Sequence, residues 1–183
     1  PDVASTGQLL YTLSQGLTEQ NIDVKVITSM PSYGPKETWV KCPRKELKNG
    51  IDIIRIRTTR FSKDNILGRI INSATFIIPL FLRILFNPRQ GDIHLYTTNP
   101  PYLGAIGAVV SKIRRHPYAV LLHDSYPHLA IWTGKIKKES FIAKLWHRLN
   151  KSIYGRTKNT IVLCDAAKKL LKSEYQAPDK KIH

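Results

Sequence analysis

The sequence contains few cysteines and lacks several common functional motifs. Its 183 residues include only two cysteines, Cys42 and Cys164, which lie far apart and do not follow a metal-site spacing. This pattern suits a reducing cytosol. No Gly-x-Gly-x-x-Gly motif follows a predicted strand, and no helix-turn-helix, zinc or RRM-type signature is present. These absences argue against a dinucleotide-dependent enzyme and against the common nucleic-acid-binding modules.

Acidic residues are also scarce. The chain has 13 Asp and Glu against 29 Lys and Arg, which gives a formal net charge of +16 and a pI near 10.0. Basic residues are concentrated in 41–63, with eight basic and two acidic residues, and in 134–158, with eight basic and one acidic residue. The positive electrostatic potential that results from this charge favours anionic partners, namely nucleic acid, anionic lipid or phosphorylated small molecules.

The length and the apolar content are sufficient for a folded domain. With 183 residues, 42% of them hydrophobic, the chain can bury a core. Its first residues lead directly into a helical pattern, and residues 181–183 read as the start of a strand. We therefore expect the sequence to be a segment of a longer protein, with a preceding strand absent.

Helical and strand patterns alternate along the chain and predict an α/β fold with a mostly parallel sheet. The predicted strands cover residues 23–28, 51–57, 92–97, 118–122 and 160–164. The predicted helices cover residues 5–20, 66–86, 102–113 and 140–155, and a further helix begins at Asp165. Residues 36–50 give no clear periodicity.

Polar residues follow two of the predicted strands directly. His123 and Asp124 come after the apolar strand 118–122, and Asn99 follows the strand 92–97. Ligands in open parallel sheets bind outside the carboxyl ends of the strands, so these residues are candidates for a site. The alternative is structural, with His123 as a strand-end residue and Asp124 as a turn cap.

Residues 66–86 are the most apolar stretch. Their length would just span a bilayer, but Arg69, Asn72 and Arg83 interrupt them, and charges at such depths are costly. The pattern predicts a long helix packed on the sheet, with an exposed portion at a membrane interface. The alternative is a helix that is entirely internal.

The helix 140–155 is strongly amphipathic. Its apolar face is predicted to consist of Phe141, Ile142, Leu145, Trp146, Leu149 and Ile153. Three basic residues occupy the other face at helical spacing: Lys144, Arg148 and Lys151.

Taken in order, these features resemble the N-terminal, acceptor-side domain of two-domain (GT-B) glycosyltransferases of the retaining family 4, in particular bacterial enzymes that build lipid-linked surface polysaccharide. The segments that carry the resemblance are 1–10, 28–33, 99–101, 124–127, 154–163 and 177–183. Three features depart from the family pattern: the first loop has a single glycine, Gly7; Cys164 stands where relatives often have Ser; and the second domain, with its Glu-x7-Glu element, is not in the sequence.

The resemblance implies a Rossmann-like three-layer sandwich, one half of a GT-B fold, with residues 1–183 as the acceptor-binding domain. It implies transfer of a sugar from a nucleotide-sugar donor with retained configuration, without a metal or a cofactor, and we expect no activity from this segment alone. Thr6 and Gly7 would face the donor diphosphate, and His123 and Asp124 would act near the acceptor hydroxyl. The residues expected to bind the acceptor are Tyr33, Asn99 and His128. The residues expected to face the membrane are Arg69, Lys144, Arg148 and Lys151.

The implied partners are a saccharide or polyprenyl-linked acceptor and an anionic membrane surface, with a cytoplasmic location at the inner face of the plasma membrane. No nucleic acid is expected, because the basic residues are not interleaved with exposed aromatic residues. The alternative is a stand-alone basic domain that binds a membrane surface or nucleic acid without catalysis.

Overall fold

The computed structural model describes residues 5–31, 41–61, 66–86 and 91–183, apart from the side chains of Ser5, Ile66 and Arg69. The α-helices in these ranges are α1 Ser5–Glu19, α2 Ile66–Phe86, α3 Leu103–Arg114, α4 His128–Trp132, α5 Phe141–Arg156 and α6 Asp165–Tyr175. The strands are β1 Lys25–Ser29, β2 Lys45–Lys48, β3 Ile51–Ile56, β4 His94–Thr97, β5 Tyr118–Leu122 and β6 Asn159–Val162. The chain divides into two compact units, residues 1–83 and 84–183.

The first unit contains a three-stranded sheet in the order β1-β3-β2. Strand β3 pairs in parallel with β1 and antiparallel with β2, so that Ile53 lies opposite both Val26 and Glu46. The isoleucines of β3 are buried because this strand is central, and Ile51 is fully inaccessible to solvent. The two charged residues of β3, Asp52 and Arg55, are half-buried and form ion pairs with Lys25 of β1 and Glu46 of β2.

Strand β2 was not predicted from the sequence. It is short and charged, and it forms a hairpin with β3 through Asn49 and Gly50, both of which have positive φ angles of 49° and 76°. Asn-Gly is the preferred dipeptide for such a turn. This signal was present in the sequence, but the charged residues of β2 gave no alternation to support it.

The polar residues within α2 bind the chain that follows β3. Asn72 Oδ1 accepts hydrogen bonds from the Thr59 hydroxyl at 2.8 Å and from the Phe61 N–H at 3.0 Å, and Asn72 Nδ2 donates to the Phe61 carbonyl at 3.0 Å. The Thr59 N–H donates to Thr75 Oγ1 at 3.1 Å. Asn72 and Thr75, two of the polar residues in this apolar stretch, therefore have a structural role.

The second unit contains an entirely parallel sheet in the order β4-β5-β6. Its central strand β5 is almost completely buried, and Val120 has no exposed surface. At the end of the chain, Ile182 forms a parallel bridge with Thr160 of β6, which agrees with the strand start predicted at residues 181–183.

Glycines allow α3 to approach the sheet closely. A Cβ atom added at Gly107 would lie 2.7 Å from the Tyr96 ring and 2.8 Å from the Tyr118 ring. A Cβ atom at Gly104 would lie 3.1 Å from Ile153 of α5. Gly107 therefore excludes any larger side chain unless the two rings move, whereas a Cβ at position 104 would need Ile153 to shift by a few tenths of an ångström.

The α/β class and the Rossmann-like, mostly parallel strand pairing confirm the prediction. The bounds of α2 and β5 agree with it fully, and the other predicted elements differ by a few residues at most. The five-residue helix α4 was missed, since a helix this short carries little periodicity.

Candidate active site

Two loops leave the parallel sheet of the second unit at the same edge. Thr98 and Asn99 follow β4, while His123 and Asp124 follow the central strand β5. Because β4 and β5 are parallel neighbours, their carboxyl ends lie side by side. This is the edge at which open α/β sheets bind ligands.

Thr98 joins these two loops. It is only 7% exposed, and its Oγ1 accepts hydrogen bonds from the backbone N–H groups of His123 and Asp124, both at 3.0 Å. Its own N–H donates to the Leu121 carbonyl at 3.3 Å. A single buried hydroxyl therefore fixes the backbone of the predicted catalytic pair.

Helix α5 holds the loop after β5 from the other side. Asn150 is 4% exposed, and its Nδ2 donates to the Tyr126 carbonyl and, at 3.2 Å, to the Tyr175 hydroxyl. One turn earlier on the same helix, the Trp146 ring stacks on Tyr126 with centroids 5.4 Å apart and planes 7° apart. These contacts position the loop between Asp124 and α4.

Tyr175 of α6 is the centre of an aromatic cluster beside this loop. Its ring lies 6.2 Å from His128, 5.0 Å from His147 and 5.3 Å from Tyr154, measured between centroids. Burial raises the pKa of Tyr175, although its hydrogen bond with Asn150 partly opposes this effect. The phenol therefore stays neutral at physiological pH.

A cleft of about 910 Å³ opens next to the two loops. The ionisable residues that line it are His123, Asp124, His128, Lys138, Lys144, His147, Arg148 and Glu174. Leu129, Ile131 and Trp132 are among its apolar lining residues. The cleft thus combines an apolar wall with polar groups of both signs, as expected of a site that binds a polar, charged ligand.

Two of the cleft histidines have polar atoms without partners. The Nε2 atoms of His123 and His128 are buried and have no hydrogen-bond partner among the residues that the structure describes. His147 Nδ1 lies 4.0 Å from Glu174 Oε2. Since buried polar atoms are usually hydrogen-bonded, the two unpaired imidazole nitrogens mark this part of the unit as a candidate functional region.

The structure brings five of the predicted site residues together. They are the proposed catalytic pair, one proposed acceptor residue and two residues that were assigned to the membrane: His123, Asp124, His128, Lys144 and Arg148. The two cations therefore line the cleft as well as being exposed on α5. This dual position was not foreseen from the sequence.

Other predicted residues lie elsewhere. Asn99 is exposed and does not line the cleft, and its carbonyl accepts a hydrogen bond from the Thr97 hydroxyl. Lys151 lines a smaller hollow of about 440 Å³, which it shares with Arg148. Thr6 and Gly7 are half-buried in the first turn of α1, in the first unit. Tyr33 and the side chain of Arg69 lie outside the described residues.

The residues that support the site were not predicted from the sequence. Thr98 stood in the recognised loop after β4, but nothing local indicated that it bridges to the next strand. Asn150 was the better signal, because a polar residue next to the predicted apolar face requires a buried partner. Trp146 was assigned to a continuous apolar face, whereas in the structure it packs on Tyr126.

The described residues form neither a metal-binding group nor a membrane-spanning helix. No three His, Cys, Asp or Glu side chains converge there in a group that could hold a metal ion. Among the same residues, no helix combines the length and the apolar character needed to cross a membrane. The expected independence from metals and cofactors stays a prediction.

Comparison with known proteins identifies the family. The family model described as Glycosyltransferase Family 4 matches residues 6–183, nearly the whole chain. The chain belongs to Glycosyltransferase Family 4. A probable glycosyltransferase, WbjE from Pseudomonas aeruginosa, is 24% identical over 119 residues, which is 65% of this chain and 30% of that relative. Membership of Family 4 supports glycosyl transfer, with a sugar donor and an acceptor, as the general chemistry.

Proposed function

We propose that the chain forms the acceptor side of the catalytic cleft in a retaining glycosyltransferase of the GT-B type. The observation that carries this proposal is the pair His123 and Asp124, which stands at the end of the central parallel strand and lines a cleft with a cationic wall, in a Family 4 chain. In this proposal residues 1–183 are the acceptor-binding domain, and a donor-binding domain belongs to the same enzyme.

The catalytic pair acts on the acceptor hydroxyl. Asp124 or His123 orients this hydroxyl and takes up its proton as the acceptor oxygen bonds to the anomeric carbon of the sugar. The bond from that carbon to the donor diphosphate breaks in the same transfer, and the nucleoside diphosphate leaves. Thr98 keeps both backbones in place, so that the two side chains start from a fixed position. At the start of α1, Thr6 and Gly7 face the donor diphosphate, where the helix N-terminus stabilises negative charge.

The acceptor is a lipid-linked saccharide. Lys144 and Arg148 give the cleft a cationic side that suits the phosphate groups of such a lipid, and the apolar residues beside Trp132 suit its hydrocarbon part. His128, which lines the cleft, is a further proposed acceptor contact. The assignments of Asn99 and Tyr33 to the acceptor stay predictions from the sequence. The donor is a nucleotide sugar that is bound as a substrate, and transfer requires no metal or cofactor.

The enzyme works on the cytoplasmic side of the plasma membrane. This location follows from the proposed substrates, because nucleotide sugars are made in the cytosol and a lipid-linked acceptor is held in the bilayer. The surplus of basic residues in 134–158 favours contact with anionic lipid.

A transfer assay tests the proposal. The full-length protein is incubated with a panel of radiolabelled nucleotide sugars and a lipid extract as the acceptor source. We expect incorporation of one sugar into the lipid phase, and a loss of about 100-fold or more in kcat for Asp124→Asn. The matched control, Asp23→Asn, changes an exposed carboxylate outside the cleft and should leave kcat unchanged.

Either of two results would overturn the assignment. If no nucleotide sugar supports transfer, the chain is not part of a glycosyltransferase of this kind. If transfer occurs and both His123→Ala and Asp124→Asn retain full kcat, the catalytic pair is wrong.

A further inference from the structure

Helix α5 exposes a stripe of apolar side chains. Their exposed fractions are 76% for Phe141, 57% for Ile142, 54% for Leu145 and 38% for Leu149. These residues lie at positions i, i+1, i+4 and i+8, on one side of the helix. We call them the α5 stripe. Soluble proteins seldom leave several neighbouring large apolar side chains in water unless a partner covers them.

The core of the unit already uses a different face of the same helix. Ala143, Asn150, Ile153 and Tyr154 are buried, and none of them is more than 4% exposed. Helix α5 packs against α3 and α6 through that face. The α5 stripe therefore does not take part in the packing of this unit.

A row of cations runs beside the α5 stripe. Lys144 follows Phe141 by three positions and Arg148 follows Leu145 by three, so each cation is a surface neighbour of an apolar residue. Lys151 continues the row, and all three cations are exposed. None of the three forms an ion pair with another of the described residues.

The row lies between the α5 stripe and the cleft. Lys144 and Arg148 line the cleft, whereas the four residues of the α5 stripe do not. Trp132, which is 87% exposed, also lines the cleft. The order across the surface is thus apolar stripe, cationic row and cleft.

We infer that this face of α5 docks on an anionic lipid bilayer. The α5 stripe enters the boundary between headgroups and acyl chains, and the cationic row binds lipid phosphates at the surface. The exposed indole of Trp132, which lines the cleft, suits the headgroup region, where Trp is enriched. A bilayer matches this arrangement because it offers apolar and anionic material side by side.

The consequence for catalysis rests on the proposed function. If the acceptor is a lipid-linked saccharide, docking through α5 places the mouth of the cleft at the headgroup layer, where the phosphate and the sugar of that lipid are found. The enzyme then reaches its acceptor with only the part of the hydrocarbon chain nearest the phosphate in the cleft, and the rest of that chain stays in the bilayer.

Vesicle flotation tests the docking surface. The full-length protein is mixed with vesicles that contain phosphatidylglycerol and, separately, with vesicles of phosphatidylcholine alone. We expect binding to the former, and an at least tenfold weaker binding for Leu145→Asp. The matched control is Ile113→Asp on α3, which changes a similarly exposed apolar residue, 56% exposed, outside the α5 stripe. It should bind as the unaltered protein does.

A second readout uses the indole of Trp132. Binding to anionic vesicles should shift tryptophan emission to shorter wavelength, and Trp132→Phe should remove most of that shift. Circular dichroism of Leu145→Asp should match that of the unaltered protein, because the changed side chain is exposed.

Three outcomes contradict the inference. Equal vesicle binding by Leu145→Asp and the unaltered protein would mean that another surface docks. Absence of binding to anionic vesicles would exclude the bilayer as the partner. A change of oligomeric state in Leu145→Asp, seen by light scattering without any vesicle binding, would make the α5 stripe a protein interface.

The failure of this inference can be told apart from that of the proposed function. Transfer to a water-soluble acceptor analogue should be the same for Leu145→Asp and the unaltered protein. Transfer without vesicle binding would reject the docking surface alone. Vesicle binding without any transfer would reject the proposed function and leave the docking surface intact.

Discussion

Helices α2 and α5 both expose apolar side chains, but in different electrostatic surroundings. In α2 the exposed side chains include Leu67, Ile70, Ile78 and Leu82, which are 45–61% exposed. The 21 residues of this helix include two basic residues, whereas the 16 residues of α5 include four Lys and Arg and no acidic residue. On α5 the cations are surface neighbours of the apolar side chains.

This difference shows why hydrophobicity alone is a poor guide to a membrane surface. An exposed portion of α2 was predicted to lie at a membrane interface because α2 is the most apolar segment, and that placement stays a prediction. An apolar stripe with few charges is equally suited to a protein partner. A stripe flanked by cations is selective for an anionic bilayer, since the two contributions to binding add.

The largest expected effect is on the free energy of unfolding, and it should differ between the buried and the exposed face of α5. Ile153→Ala removes a buried side chain and should lower the free energy of unfolding by about 2–5 kcal/mol. Leu145→Ala removes an exposed one and should lower it by less than about 0.5 kcal/mol. Urea denaturation measures both. On α2 the same contrast is expected between Leu80, which is 5% exposed, and Ile78, which is 57% exposed. A large loss for Leu145→Ala would mean that protein covers the stripe.

The next largest effect is the difference between substitutions on α2 and on α5 in vesicle binding. Ile78→Asp on α2 should leave the affinity for anionic vesicles within about twofold of the original value, whereas Leu145→Asp on α5 should lower it by about tenfold or more. Flotation with the same vesicles measures both variants. The reverse result would assign docking to α2, as the sequence-based hypothesis had it.

A smaller effect on vesicle binding is expected from substitution of one cation of α5. Lys151→Glu should weaken vesicle binding several-fold, since each basic side chain near an anionic surface contributes about 1 kcal/mol. The matched control, Lys169→Glu, changes an exposed lysine on α6 and should have no such effect. Raising the salt from about 0.05 to about 0.5 M should weaken the binding of the unaltered protein and reduce the difference from Lys151→Glu. Binding that resists salt would show that charge contributes nothing.

A separate effect limits the pH range in which these comparisons hold. Burial, assisted by the nearby His116, lowers the pKa of His94 from 6.5 to about 4, and Asp92 opposes the shift. The unfolded chain therefore binds more protons between these values. The stability that depends on neutral His94 is fully present above pH 6.5 and is lost as the pH falls through about 4.

Unfolding experiments across this range provide the check. The urea midpoint should fall on acidification, and it should fall less in His94→Gln, which cannot take up the proton. If both proteins lose stability in parallel, other groups account for the acid sensitivity.

Sequence patterns were most informative where structure is local. The apolar run of β5 and the long helical pattern of α2 gave the correct bounds, and the edge of the sheet that carries His123 and Asp124 followed from strand direction alone. Strand β2 and helix α4 were missed because four or five residues are too few to establish a period. The bridge from Thr98 to the next loop was not predictable, since the two partners are 25 and 26 positions away.

The sequence by itself therefore determined the order and type of most elements, the excess of positive charge and the family, because these depend on local periodicity, composition and motif order. Only the tertiary structure decided which side of α5 faces the core. Buried Asn150 has to satisfy its amide at Tyr126 and Tyr175, and Ile153 fits the space that Gly104 leaves open. These two contacts set the rotation of the helix, and the α5 stripe is exposed as a result.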